Sequence, residues 1–261
     1  MEPVNRRAVH RYIDGEWKIQ QDNIANESIL DIDIKKGQEI ERWLSIIRTP
    51  GNDSELVCGL LHNERVLIDC SVKEVSLQSD GNSMLVSLPE GAQYNISPRG
   101  RMESGAACGI CGRKDLSSLL DVAHECDFSA IPIEPEILLG MPEKMRKVQS
   151  GFTSTGGIHA AALFTICGDL ILVKEDIGRH NCMDKVIGSA LLNNQPLADK
   201  VICLSGRIGA ELVLKAASSG IPVIVAIGAA SSLAIDLARQ AGITLYGFAK
   251  NKSCVRYHSS A

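Results

Sequence analysis

The C-terminal part of the chain carries the strongest constraint on the fold. Short apolar runs rich in Val and Ile, at 170–173, 200–204, 221–227 and 243–248, alternate with stretches of helical pattern at 178–192, 209–219 and 231–241. Strands separated by helices of that length build a sheet with helices packed on its faces. Residues 157–261 are therefore expected to form an α/β layer. Upstream the periodicity differs. Leu30, Ile32 and Ile34 alternate with Asp31 and Asp33 until Gly37 breaks the run, the pattern of a half-buried strand ending in a turn. Pro50-Gly51 has turn chemistry, and Asn52 or Asp53 is placed to cap a helix through the apolar LVCGLL. Strand-like segments follow at 66–77 and 84–88, so residues 1–100 read as a small α+β unit.

Between about 98 and 157 the periodicity fails, and Gly, Pro, Ser and charged residues dominate, with one helical stretch around 143–149. A long irregular segment in a compact protein is functional or disordered. Residues 101–156 are expected to be a central segment carrying a mobile loop. The chain has no internal repeat and no low-complexity tract.

Composition narrows the function. With 261 residues, 45% of them hydrophobic, there is enough apolar material for two modest cores. A formal net charge of -4 gives no long-range attraction to nucleic acid. No stretch approaches the roughly 20 apolar residues of a membrane span, and the N-terminal residues lack the apolar core of a signal peptide, so a cytoplasmic location without membrane contact is expected. The nine cysteines are an odd count; Cys58, Cys167 and Cys203 sit inside apolar runs and read as reduced core residues.

The strongest local signal is GAACGICGRKD, in which Cys108 and Cys111 are flanked by Gly105, Gly109 and Gly112 and followed by Arg113 and Lys114. Glycines let such a loop present its thiols, and adjacent cations favour the thiolate, the nucleophilic form of cysteine. That combination suits sulfur exchange, in which a thiolate attacks the outer sulfur of a donor persulfide, holds it and passes it on. Three other readings stay open for the pair. A zinc site would have to recruit ligands such as His124 and Cys126, because there is no second CxxC. A redox dithiol belongs at the start of a helix after a strand, and this pair lies in an irregular segment. The third is a loop with two incidental thiols.

Further candidates cluster where the strands end. Thr155-Gly156-Gly157-Ile158-His159 reads as a glycine turn feeding a helix, a general anion site, or as a tight turn before a capping histidine. Glu175-Asp176-Ile177-Gly178-Arg179-His180-Asn181 follows the strand LILVK, where α/β proteins place ligands. There Arg179 is placed to meet a phosphate, Asp176 to accept from a base or ribose, and Asn181 to cap a helix; a capped helix start with surface charges is the plainer reading. Ser205-Gly206-Arg207, Ala229-Ala230-Ser231-Ser232 and Phe248-Ala249-Lys250-Asn251-Lys252 end the other strands. If these ends share one sheet edge they form an anion-lined cleft suited to a phosphorylated nucleotide. Lys185 and Lys215 fall inside helices and are expected on solvated faces.

Taken together, CGICG, TGGIHAAAL, EDIGRHN..DKVIG, SGRIGAELVLKAASSGIPVIVA and SSLAIDLA..AGITLYGF make the chain closely resemble the FdhD family of formate dehydrogenase accessory sulfurtransferases. The resemblance runs from about residue 26 to 257. It implies a cytidine-deaminase-like three-layer C-terminal domain with a smaller N-terminal α+β domain. It implies a sulfurtransferase that takes sulfur from a cysteine desulfurase onto the CxxC loop and delivers it to a bound molybdenum bis(molybdopterin guanine dinucleotide) for formate dehydrogenase, with Cys108 and Cys111 matching the family's pair. The family's cofactor-binding segment falls on Phe248, Ala249, Lys250, Asn251, Lys252 and Ser253. With Arg179, His180, Ser205, Arg207, Gly156, Gly157 and His159 from the strand-end reading, these are the expected ligand residues. A homodimer is expected, and no structural metal. Two other functions fit the same residues: a cofactor-binding chaperone without sulfur chemistry, and a dithiol redox protein. Deaminase chemistry is not expected, since it needs His-x-Glu followed by Pro-Cys-x-x-Cys, and here His159 is followed by Ala160-Ala161 with the CxxC upstream. Where many family members read Ser-x-Pro-Thr-Ser-Leu, this chain reads Gly228-Ala229-Ala230-Ser231-Ser232-Leu233.

Overall fold

A computed structural model describes residues 2–96, 133–250 and 252–259. Cys108 and Cys111, the whole CxxC loop, and Asn251 lie outside the described residues. The fold is mixed α/β with three sheets.

Strands β1 (Val4–Ile13) and β2 (Glu16–Ala25) form an antiparallel hairpin of their own, with Tyr12, Trp17 and Ile19 exposed. The second sheet has the order β4-β3-β6-β5, from β3 (Ser28–Lys36), β4 (Glu39–Arg48), β5 (Ser76–Asp80) and β6 (Ser83–Ser87). The expected alternation holds: Leu30, Ile32 and Ile34 are buried, and Gly37 turns the chain at a φ of 60°. Their inner faces pack on helix α1 (Asp53–Asn63). Asn52 precedes that helix in a left-handed conformation, and its side chain reaches Glu55 rather than a helix amide. The segment 66–77 is not one strand; it is irregular, pinned by a bridge between Leu67 and Tyr94.

The third sheet has the order β12-β11-β10-β9-β7-β8. Helix α2 (Pro135–Val148) covers one face, longer than the helical stretch expected at 143–149. Helix α3 (Ser150–Thr155) begins where Glu175 accepts from the amides of Gly151 and Phe152, both at 2.8 Å, and ends at Gly156 with a φ of 69°. The strands are β7 (His159–Thr165), β8 (Leu170–Asp176), β9 (Lys200–Leu204), β10 (Val223–Ala226), β11 (Thr244–Lys250) and β12 (Ser253–His258). Between them come α4 (Arg179–Leu192), α5 (Ala210–Ser218) and α6 (Ser232–Gln240). Side chains alternate across this sheet as strand geometry demands. Ala161, Leu163, Ile202, Leu204, Ile224 and Ala226 join the core with α4, α5 and α6, whereas Ala160, Ala162, Phe164, Val201, Val223 and Val225 join the core with α2.

Three expectations are overturned here. His159 and the alanines after it form a strand, not a helix. Alanine favours helix in isolation, but between β8 and β9 small side chains let both helical layers approach the sheet, and packing outweighs propensity. Cys167 is exposed on the turn between β7 and β8, while Cys58 and Cys203 are buried as expected. Lys185 and Lys215 are 1% and 3% exposed: α4 is sandwiched between the sheet and α1 with every residue from His180 to Ala190 buried, and Lys215 on α5 turns inward to Asp184 of α4.

The α1–α4 crossing joins the two halves. A Cβ on Gly59 would lie 2.0 Å from the carbonyl oxygen of Asp184, and one on Gly188 would lie 1.9 Å from that of Glu55, so both positions need glycine for the helix backbones to approach. A satisfied polar seam surrounds the crossing. Asp176 accepts from the amides of Thr49 (3.1 Å) and Gly178 (2.9 Å), from Asn181 Nδ2 (2.9 Å) and from Lys185 Nζ (2.7 Å). Lys185 also donates to the Thr49 carbonyl at 2.9 Å, and Asn181 to that of Ile47 at 2.9 Å. Lys215 donates to both oxygens of Asp184, at 2.8 and 3.0 Å, and Asn63 donates to the first of these at 2.7 Å. Buried charges persist only when paired in this way.

Candidate functional site

The expected common edge exists. Strands β8, β9, β10 and β11 run in one direction, so their C-terminal ends lie along one side of the sheet, beside the start of antiparallel β7. Backbone bonds tie the ends into a row: the Ser205 amide donates to the Ala160 carbonyl (3.0 Å), Gly228 to Gly206 (3.1 Å) and Phe248 to Gly228 (3.1 Å). The row is tight enough to require its glycines. A Cβ on Gly228 would lie 2.7 Å from the Gly206 carbonyl oxygen, and one on Gly247 would lie 2.6 Å from the Tyr257 ring.

On this frame the structure groups His159, Arg179, His180 and Ser205. Ser205 Oγ accepts from the Ala160 amide at 2.9 Å and lies 3.3 Å from His159 Nδ1. A Cβ on Gly206 would touch the His159 ring at 3.5 Å and Arg179 Cδ at 3.6 Å, which places both beside the end of β9. Arg179 and His180 are the first residues of α4, whose N-terminus has no side-chain cap. Burial, and then Arg179, lower the pKa of His159 against the pull of Asp176. Burial lowers that of His180 to about 4; Glu211, 3.7 Å from its Nε2, opposes this, and Arg179, Lys215 and His159 add to it. Both imidazoles are therefore neutral near pH 7. Among the described residues, two buried side-chain polar atoms have no hydrogen-bond partner: Arg179 Nε and His180 Nδ1.

The other expected residues are spread along the same side. Gly156 and Gly157 form the turn that ends α3 and leads into β7, so they start no helix. Arg207 is exposed just beyond β9, where the Ile208 amide donates to the Ala229 carbonyl at 2.9 Å. Phe248 sits in a β-bulge with a φ of 51°, and the residue is 42% exposed. A bulky residue held there costs on the order of 1–3 kcal/mol, and such strain clusters at functional sites. Lys250, Lys252 and Ser253 are exposed around the β11–β12 connection, whereas the Ala249 side chain faces the core shared with α2.

Two roles read from the sequence are corrected. Asp176 is fully buried with both oxygens already engaged, so it does not face a base or ribose. Asn181 holds the Ile47 carbonyl and Asp176 rather than capping α4. Ser231 caps α6, accepting from the Ala234 amide at 3.2 Å. Glu211 was missed by sequence reasoning: it lies one turn before Lys215 on α5, and only the packing of α5 against α4 brings it to His180. Burial pushes the Cys58 thiol up to about 11 and that of Cys203 up to about 12, which makes them poor nucleophiles. Among the described residues no group of three or more His, Cys, Asp or Glu could hold a metal, and no helix is long and apolar enough to cross a membrane.

Comparison with known proteins bears on the chain as a whole. The model of the FdhD/NarQ family matches residues 25–261. The chain is 37% identical over 270 residues to a sulfur carrier protein FdhD from Corynebacterium efficiens, covering 95% of each chain. It is 39% identical over 253 residues to one from Sulfolobus acidocaldarius, covering 96% of this chain and 94% of that one. The crystal structure of a formate dehydrogenase accessory protein from Desulfotalea psychrophila shares the fold, with a TM-score of 0.75, 98% coverage of both chains and 20% identity.

Proposed function

This chain belongs to the FdhD/NarQ family, and on that premise we propose that it is a sulfurtransferase carrying sulfur from a cysteine desulfurase to a molybdenum bis(molybdopterin guanine dinucleotide) destined for formate dehydrogenase. Cys108 is the carrier. Its thiolate attacks the outer sulfur of the desulfurase persulfide, the donor S–S bond breaks, the donor cysteine leaves as thiolate, and Cys108 holds the persulfide. Cys111 is the releasing thiol. Its attack on the inner sulfur of Cys108 expels sulfide toward the bound substrate and leaves a Cys108–Cys111 disulfide, which a cellular thiol reductant reopens. Arg113 and Lys114 are the nearby cations that favour the thiolate.

The substrate's guanylyl end lies along the strand-end edge in this reading, with Arg179, Arg207, His180 and His159 toward its phosphates and the 248–253 segment alongside. The observation that carries this placement is the pair of unpartnered buried atoms, Arg179 Nε and His180 Nδ1, since buried polar groups are otherwise satisfied. The sheet covered by helices on both faces agrees with a cytidine-deaminase-like layer arrangement, without deaminase residues at His159-Ala160-Ala161. The protein acts as a homodimer in the cytoplasm.

Intact-protein mass spectrometry after incubation with a cysteine desulfurase and cysteine tests the carrier step. Wild type gains one sulfur atom and Cys108→Ala gains none, while Cys111→Ala gains it and fails to release it. A gain that survives in Cys108→Ala moves the carrier to Cys111. No gain in any form leaves a cofactor-binding chaperone.

A further inference from the structure

The orphaned atoms of the edge sit on adjacent residues at the start of α4. His180 is 5% exposed, its Nδ1 has no partner, and on the far side of the ring Nε2 faces Glu211 Oε2 at 3.7 Å. The imidazole thus has a carboxylate on one side and, among the described residues, no partner on the other. Arg179 Nε on the preceding residue is likewise buried and unpartnered, and the two residues open a fourteen-residue helix that has no side-chain cap, where the helix dipole is positive. The charged and titratable groups around the ring are Arg179 from its own helix, Glu211 and Lys215 from α5, and His159 from β7. Glu211 is shared, its other oxygen lying 3.7 Å from Lys215 Nζ.

We propose that His180 is a proton-coupled reader of the ligand's phosphate: an anion seated at the start of α4 against Arg179 Nε draws a proton onto the imidazole, which then donates from Nδ1 to the anion and from Nε2 to Glu211. The inference rests on the nucleotide-site reading above and deepens it by giving this corner to phosphate rather than to the base. A neutral imidazole has one N–H. If Glu211 takes it at Nε2, Nδ1 turns a lone pair toward the anion, and the contact is repulsive. Only the imidazolium satisfies both sides. Each binding event then takes up a proton from solvent, and no bond in the ligand is made or broken. Without a contacting anion, burial together with Arg179, Lys215 and His159 keeps the ring neutral, with a pKa of about 4. An N–H of a heterocycle at Nδ1 needs no proton, and there the two occupants differ.

The test is isothermal titration of guanosine diphosphate into the wild-type protein near pH ~6, in two buffers of different ionisation enthalpy, and into His180→Gln. An opposite charge at contact raises a histidine pKa by about 1–3 units, so wild type takes up about half a proton per site more than the variant, which keeps a donor but cannot titrate. Inorganic pyrophosphate reproduces the uptake and guanosine does not. Guanosine diphosphate that binds wild type with no uptake beyond the ligand's own ionisation overturns the inference and leaves the nucleotide site standing. Failure of both phosphate probes to bind overturns the two together. The wild-type buffer comparison carries the measurement even where the variant does not fold.

Discussion

One stretch of chain, from Glu175 to Lys185, builds two regions of opposite character. Asp176, Asn181, Asp184 and Lys185 turn into the seam against α1, where each has its partners. Arg179 and His180 lie at the strand-end edge, where one atom of each has none. The satisfied region holds the two halves together, and the unsatisfied one is where the proposed reading seats the ligand's phosphates. Hydrogen-bond accounting thus separates satisfied from unsatisfied polar residues within a single motif, which residue type alone does not do.

If the contrast holds, the two regions respond to different measurements. Lys185→Met, which leaves Asp176 buried without its cation, lowers the unfolding free energy by about 3–5 kcal/mol, read from urea denaturation. A loss under about 1 kcal/mol would show that the seam behaves like a surface ion pair. His180 is next in size and links the two readouts. Its folded pKa is depressed, so the unfolded chain takes up a proton near 6.5 while the native protein does so only at about 4. Stability is therefore intact above about 6.5 and falls as the pH drops through that window, by about 3 kcal/mol from this group. His180→Gln flattens that part of the pH–stability curve, and an unchanged curve would show that the ring is not held neutral.

Smaller effects probe the edge itself. Arg179→Ala weakens guanosine diphosphate binding by about 1–3 kcal/mol in calorimetry, the loss expected for one charge-assisted bond. Arg207→Ala, at an exposed position, changes stability by less than about 0.5 kcal/mol, so any affinity it loses is a ligand contact. An Arg179→Ala variant that unfolds early but binds normally would move Arg179 into the seam and dissolve the contrast.

Much of this was readable beforehand because it is local. The strands at Leu30-Ile32-Ile34 and at 200–204, the helices after β8, β9 and β10, and the glycine breaks follow from side-chain period and turn chemistry. The gathering of Ser205, Arg207 and Phe248 on one edge follows from parallel strands joined by helices. The errors were non-local. His159-Ala160-Ala161 looks helical until two neighbouring strands claim it, and the lysines of α4 and α5 look solvated until a second helix layer covers them.

The sequence by itself determined the alternation of strands and helices after residue 170, the glycine break after β3 and the family to which the chain belongs, because each is written in residue type and spacing. Only the tertiary structure decided which polar residues of a motif are satisfied inside the protein and which keep an atom without a partner. Whether an Asp176 or a His180 has a partner depends on groups from Thr49 and Glu211, far away in the chain, and burial turns a missing partner into a cost that binding can relieve.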